Sequence, residues 1–147
     1  MPMHAHEWLC QKIVEGTPDA IIFADREGII QLWNAGAESI FGYSSEEALG
    51  QTLDIIIPER LRQRHWQGYR TVMSSGVTRY GRELLAVPAM RRDGLLISVE
   101  FSMVLLRDSA AEIVGSAAIV RDVTGRWHRE NALKERLSKI EGNWHYF

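Results

Sequence analysis

The stretch from Leu95 to Arg107 constrains the fold more than any other. Ile97, Val99, Phe101, Met103 and Leu105 alternate with Ser98, Glu100 and Ser102 over most of it. Successive side chains of a strand point to opposite faces, so this alternation predicts a strand with one face on a core. Strand-like segments flank it on both sides, Tyr80 to Met90 and Ile113 to Val123. Arg92-Asp93-Gly94 and Asp108-Ser109-Ala110 are the turns between them, and turns this short join antiparallel neighbours. Pro88 has no N–H to give to a ladder, which assigns the first of the three strands to a bulge or a free edge.

The N-terminal half supplies two more strands and the helical cover. AIIFADREGIIQLWN holds two short apolar runs around Asp25-Arg26-Glu27-Gly28, a hairpin with glycine at its turn. Before it, Trp8, Leu9, Ile13 and Val14 repeat at near-helical spacing, and Gly16-Thr17-Pro18 ends that helix. After it, NAGAESIFGY reads as a short helix stopped by Gly42. Ser44 caps a second one that opens with Glu46 and Glu47 and stops near Gly50. LDIIIP is apolar and closed by Pro58. Glu59 to Ser75 is the longest helix of the middle region, ended by Gly76. From Thr124 the chain is helical to its end, with Leu133, Leu137, Ile140 and Trp144 at the spacing of a short coiled-coil seam. Five strands with helices on one face make an α+β domain, and an antiparallel sheet needs only one face covered. Residues 1–16 are expected to form a helical cap, 17–124 the domain proper and 125–147 a C-terminal signalling helix.

Composition narrows the function. The 147 residues suit one domain with a real core, and 46% hydrophobic against 24% charged residues is a globular balance. A net charge of −2 argues against nucleic acid or an anionic membrane surface as partner. Cys10 is the single cysteine, so the chain forms no internal disulfide, no cysteine zinc site and no CxxC pair. No apolar run approaches the roughly 18 residues of a membrane span, and MPMHAHEW lacks the charged-then-apolar pattern of a signal peptide. A cytoplasmic location is expected. No P-loop, GxSxG elbow or HExxH motif is present, and nothing in the sequence suggests an enzyme.

PDAIIFADREGIIQLWNAGAESIFGYSSEEALGQ, the turn Arg91 to Gly94 and the closing Arg121-Asp122-Val123-Thr124 together resemble the PAS sensor domains over about Asp19 to Thr124. The resemblance implies a five-stranded antiparallel sheet wrapped by helices around a pocket, in a module that senses a ligand, holds a cofactor or dimerises. IPERLRQRHWQGYR further resembles the helix of heme-binding PAS domains of rhizobial oxygen-sensor kinases. There a histidine shortly after Ile-Pro-Glu ligates heme iron, and the matching residue is His65. Two positions depart from that pattern. Leu85 stands where those sensors place an oxygen-binding arginine. Glu83 stands where a related phosphodiesterase sensor places a methionine ligand. A leucine donates no hydrogen bond, so a pocket of this kind is expected to favour carbon monoxide or nitric oxide over oxygen. The resemblance also sets Arg79 near a heme propionate, although Arg79 equally suits a solvated strand start.

The residues themselves carry part of this reading. Leu61, His65, Tyr69, Val72 and Met73 share one helical face, turned from Arg62, Arg64, Gln67 and Arg70. A polar ring on an apolar stripe needs a partner. Iron is one, a backbone carbonyl another. By alternation, Glu83, Leu85 and Val87 share a face, and Ile97, Val99, Phe101 and Met103 continue the wall. Gly115, Ser116, Ala117 and Ala118 are small enough to leave room for a flat ligand or to suit close helix packing, and Ala117 is counted among the ligand contacts. His4 and His6 are weaker metal candidates. The expected function is a cytoplasmic sensor that binds heme b through His65 and responds to a diatomic gas or redox state. It would act as a homodimer through the N-terminal helix and the Leu133–Trp144 seam. It would signal to a separate, unidentified protein, unless the sequence is a fragment of a longer one. The competing expectations are a cofactor-free dimerisation or interaction module and a sensor of a small organic ligand.

Overall fold

The computed structural model describes residues 3–78 and 85–144, the backbone alone at 85 and 140–144. Its elements run α1 (His6–Gly16), β1 (Ala20–Asp25), β2 (Ile30–Trp33), α2 (Ala35–Phe41), α3 (Ser45–Ala48), two 3-10 turns, α4 (Arg62–Ser75), β3 (Leu85–Met90), β4 (Leu96–Arg107), β5 (Ile113–Asp122) and α5 (Thr124–Trp144). The five strands form one antiparallel sheet in the order β2-β1-β5-β4-β3. The fold is α+β. β3 is an edge strand, which is where Pro88 can sit without breaking a ladder. Among the described residues no helix is long and apolar enough to cross a membrane.

Register decides which face each strand residue takes, because directly paired residues share a face. Val87 pairs with Val99, Phe101 with Val120, Met103 with Ala118 and Leu105 with Ser116. Ala20, Ile22 and Ala24 of β1 pair with Val120, Ala118 and Ser116. These residues line the covered face. The main core there gathers Ile22, Ile30, Trp33, Phe41, Ile56, Ala89, Ile97, Val99 and Val120. Val104, Ala117 and Ile119 fall on the opposite face, with Phe23 and Leu32 of the hairpin.

Local chemistry fixes the short helices. Gly42 takes φ 84° and closes α2, and Ser44 and Glu47 form a reciprocal capping box at α3. Asn34 caps α2 and is buried. Its Oδ1 accepts from Ile21 N at 2.8 Å and Ala37 N at 2.9 Å, while Nδ2 donates to the carbonyls of Val14 at 2.6 Å and Asp19 at 3.0 Å. One amide thus ties the end of α1 to β1 and α2. The longest middle helix starts later than its sequence predicts. Glu59–Leu61 is a 3-10 turn, with Leu61 N bonded to Pro58 O at 2.8 Å, and the α-helix begins at Arg62.

The exit to α5 is built from side chains. Thr124 Oγ1 accepts from Ser98 N at 3.0 Å, Asp122 Oδ1 accepts from Thr124 N at 2.9 Å, and Arg126 pairs with Glu100. β4 and β5 are therefore joined to α5 by polar side-chain contacts.

Candidate functional site

α4 lies across the end of the β1–β2 hairpin and places its apolar stripe on the sheet. Tyr69 and Met73 are buried and form a second cluster with Ile113, joined by Leu53, Trp66, Val72 and Leu105. Tyr69 donates its hydroxyl to the carbonyls of Ala24 at 3.2 Å and Asp25 at 2.5 Å, which anchors the helix to the last residues of β1. Burial pushes the Tyr69 phenol upward in pKa, against a smaller opposing effect of the Ser116 hydroxyl.

His65 is half-buried one turn before Tyr69, with ring centroids 5.8 Å apart, and it meets Trp66 edge-on at 4.9 Å. Trp66 packs on the backbone of Gly28 and donates Nε1–H to Asp54 Oδ1 at 2.7 Å. The Nδ1 atom of His65 is buried and has no hydrogen-bond partner among the described residues. Burial holds the His65 pKa below its ordinary value, and the charge of Asp54 opposes this in part. Burial thus favours the neutral ring, the form that ligates metals.

The expected site residues divide among several places. Val87, Ile97, Val99 and Phe101 belong to or pack on the main core, whereas Tyr69 belongs to the second cluster, and Leu53 touches both. Met103 is half-buried on the covered face. Leu85 occupies the register position opposite Phe101. Arg79 and Glu83 lie outside the described residues. Ala117 is a correction. It pairs with Phe23 and Val104, so it stands on the face turned away from α4. Ser116 and Ala118 are the small residues on the covered face, because a one-residue step along a strand reverses the side chain. Arg62 also departs from expectation. It is half-buried and donates to the carbonyls of Ile57 at 3.1 Å and Asp54 at 3.2 Å.

Sequence reasoning missed Asp54, the acceptor for Trp66 and the charge that acts on His65. It lies in the apolar run LDIIIP, where only its solitary charge marks it.

A half-buried imidazole with a buried nitrogen that has no partner among the described residues suits an axial heme ligand, and Ser116 and Ala118 are small residues on the covered face of the sheet.

The family model described as PAS fold matches residues 14–127. The chain is 32% identical over 141 residues to the sensor protein FixL of Bradyrhizobium diazoefficiens, covering 94% of this chain and 27% of that protein. It is 30% identical over 112 residues to the oxygen sensor protein DosP of Escherichia coli, covering 76% of this chain and 14% of that protein. The chain thus spans well under a third of either relative. A solved PAS domain from Colwellia psychrerythraea superposes with a TM-score of 0.72 at 24% identity, over 82% of this chain and 99% of that one. A family match across most of the sequence, on an antiparallel sheet covered on one face, leads to one conclusion: the chain belongs to the PAS family.

Proposed function

We propose that this PAS domain is a sensor module that binds heme b with His65 as the axial ligand and responds to a diatomic gas or to redox state. The observation that carries the proposal is the buried Nδ1 of His65, which has no hydrogen-bond partner among the described residues. A polar nitrogen left in that state is unfavourable by roughly 1–3 kcal/mol, and ligation recruits the ring into a coordinate bond. Kinship with proteins named sensor protein FixL and oxygen sensor protein DosP supports the same reading.

Heme iron, when bound, supplies a coordination position for a small gas and a one-electron couple. The protein's own part is separate. α4 carries the ring, Tyr69 anchors α4 to the β1 carbonyls, and the apolar side chains of Val87, Val99 and Phe101 keep water from the wall. Displacement of β4 or β5 would reach α5 through Ser98–Thr124 and Glu100–Arg126. We propose a homodimer through α1 and the α5 seam as the signalling unit, with an unidentified partner downstream.

Reconstitution with hemin tests the cofactor. The wild type should take up one equivalent and show a Soret band, and His65→Ala should lose it while keeping its circular dichroism. A colourless wild type, or an unchanged spectrum in the variant, overturns the assignment.

A cofactor-free interaction module is the second reading. Exposed Leu32, Val104, Leu106 and Ile119 on the uncovered sheet face favour it. A chain that refuses hemin yet associates would establish it.

A further inference from the structure

Three aromatic rings stand together on α4. Trp66 meets His65 edge-on with ring centroids 4.9 Å apart and Tyr69 edge-on at 5.5 Å, while His65 and Tyr69 are 5.8 Å apart. Indole and phenol rings give up an electron far more readily than imidazole. The cluster therefore sets two oxidisable rings against the side chain that would ligate iron. Loss of an electron makes the N–H or O–H of such a ring strongly acidic, so oxidation is easy only where the proton has a base to go to.

The proton acceptor separates the two rings. Trp66 Nε1 donates to Asp54 Oδ1 at 2.7 Å, the only hydrogen bond this carboxylate accepts among the described residues. Arg62 Nε stays 4.0 Å from that oxygen, and the Arg62 guanidinium donates to the carbonyls of Ile57 and Asp54. A carboxylate takes up a proton. Tyr69 donates instead to the carbonyls of Ala24 at 3.2 Å and Asp25 at 2.5 Å, which are not bases. Trp33 has the same limit, since its Nε1 donates to the Tyr43 carbonyl at 2.9 Å. The Lys12 ammonium, 5.9 Å from the Trp8 ring, opposes a positive charge there. Among the described residues, Trp66 is the tryptophan whose N–H rests on a carboxylate, and it is also the one in contact with the His65 ring.

We propose that Trp66 is the electron donor to a heme held by His65 when a hydroperoxide oxidises it, with Asp54 as the proton acceptor. The inference rests on the heme reading above. Breaking the hydroperoxide O–O bond takes two electrons, one from the iron and one from the indole. One oxygen leaves as water or an alcohol with the hydroperoxide's own hydrogens, and the other stays at the iron. The Nε1 proton crosses the 2.7 Å bond to Asp54 Oδ1. A neutral indole radical and a neutral carboxylic acid remain, so no positive charge is stranded on a half-buried ring. The redox response of the module thereby extends to hydroperoxides, and the oxidising equivalent is drawn to one side chain beside α4's iron ligand.

The test mixes the hemin-loaded full chain with stoichiometric hydrogen peroxide. Freeze-quench electron paramagnetic resonance should show a neutral tryptophanyl radical. A nitroso spin trap followed by peptide mass spectrometry should place the adduct on Trp66, ahead of Trp8 and Trp127, which are 45% and 44% exposed. Trp66→Phe should remove that radical while the Soret band remains. Asp54→Asn should slow its formation by about a hundredfold, the low end of what a positioned base contributes, and Asp54→Glu should restore most of the rate. Deuterated water should slow the wild type but not Asp54→Asn, a difference that a purely structural role for Asp54 does not produce. A Soret band with the adduct on another residue, or a Trp66 radical indifferent to Asp54→Asn, would overturn the relay and leave the heme reading standing. A chain that takes up no hemin would overturn both.

Discussion

Trp66 donates its indole N–H to Asp54 Oδ1 at 2.7 Å, and the same indole covers the backbone of Gly28. That bond sets a carboxylate beside the helix turn that carries His65, so one acidic residue both orients the indole and biases the charge of its neighbour. Arg62 approaches the same oxygen, with Nε 4.0 Å from Asp54 Oδ1.

The His65 titration follows from this arrangement. Burial lowers its pKa and Asp54 opposes that. The unfolded ring takes up a proton near pH 6.5, where the native ring still resists it. Stability is therefore full above about 6.5 and falls as pH drops toward the native pKa. Urea unfolding of the apo chain between about pH 7.5 and 5.5 should show this loss, and His65→Phe should flatten it. Asp54→Asn keeps an acceptor for Trp66 but removes the charge, so an NMR titration should find the His65 pKa lower still. An unchanged or raised value would mean that Asp54 does not act on the ring.

Gly28→Ala should be strongly destabilising. Gly28 has φ 80°, and a Cβ there would stand 2.1 Å from the Trp66 ring. The left-handed backbone alone costs a non-glycine residue roughly 1–2 kcal/mol, and overpacking adds about 1–3 kcal/mol. Trp66→Ala should relieve the second part but not the first. A double-mutant cycle read by chemical denaturation checks the coupling, and additive effects would show that the contact is unimportant.

Asn34 is expected to be the most sensitive polar residue of the domain. Its amide satisfies four backbone groups at once. Asn34→Ala leaves buried groups unpaired, each worth about 1–3 kcal/mol, and should lower stability by at least about 3 kcal/mol. Asn34→Asp keeps the acceptor and loses both donors, so it should free α1 first. Limited proteolysis should then cut between Val14 and Asp19 faster than in the wild type.

Leu133 and Leu137 are 56% and 51% exposed on α5. An isolated helix with such a stripe is marginal in water, so a second copy should cover it. Leu133→Glu with Leu137→Glu should shift the chain toward monomer in light scattering at high micromolar concentration. A wild type that is already monomeric there would remove the α5 seam from the assembly.

Periodicity and turn chemistry carried the secondary structure. The alternation from Ile97 to Leu105, the glycine turn at Gly28 and the Ser44 cap are local signals, and local geometry is what a sequence spells out. Pro88 narrowed β3 to a bulge or a free edge because it has no N–H to give, and the strand order settled the edge. His65 could be placed on an apolar helical stripe because 3.6 residues per turn is a property of the helix alone. Three matters needed the tertiary structure. Four consecutive small residues hide their own register, so only the pairing with β1 and β4 set Ser116 and Ala118 on the covered face and Ala117 on the other. Asn34 reaches from Val14 to Ala37, a bridge that no spacing rule announces. Finally, Asp54, Trp66 and Gly28 come from three separate segments, and only chain packing brings them beside His65. Long-range contacts of this kind depend on where whole elements dock, which the order of residues along one element does not encode.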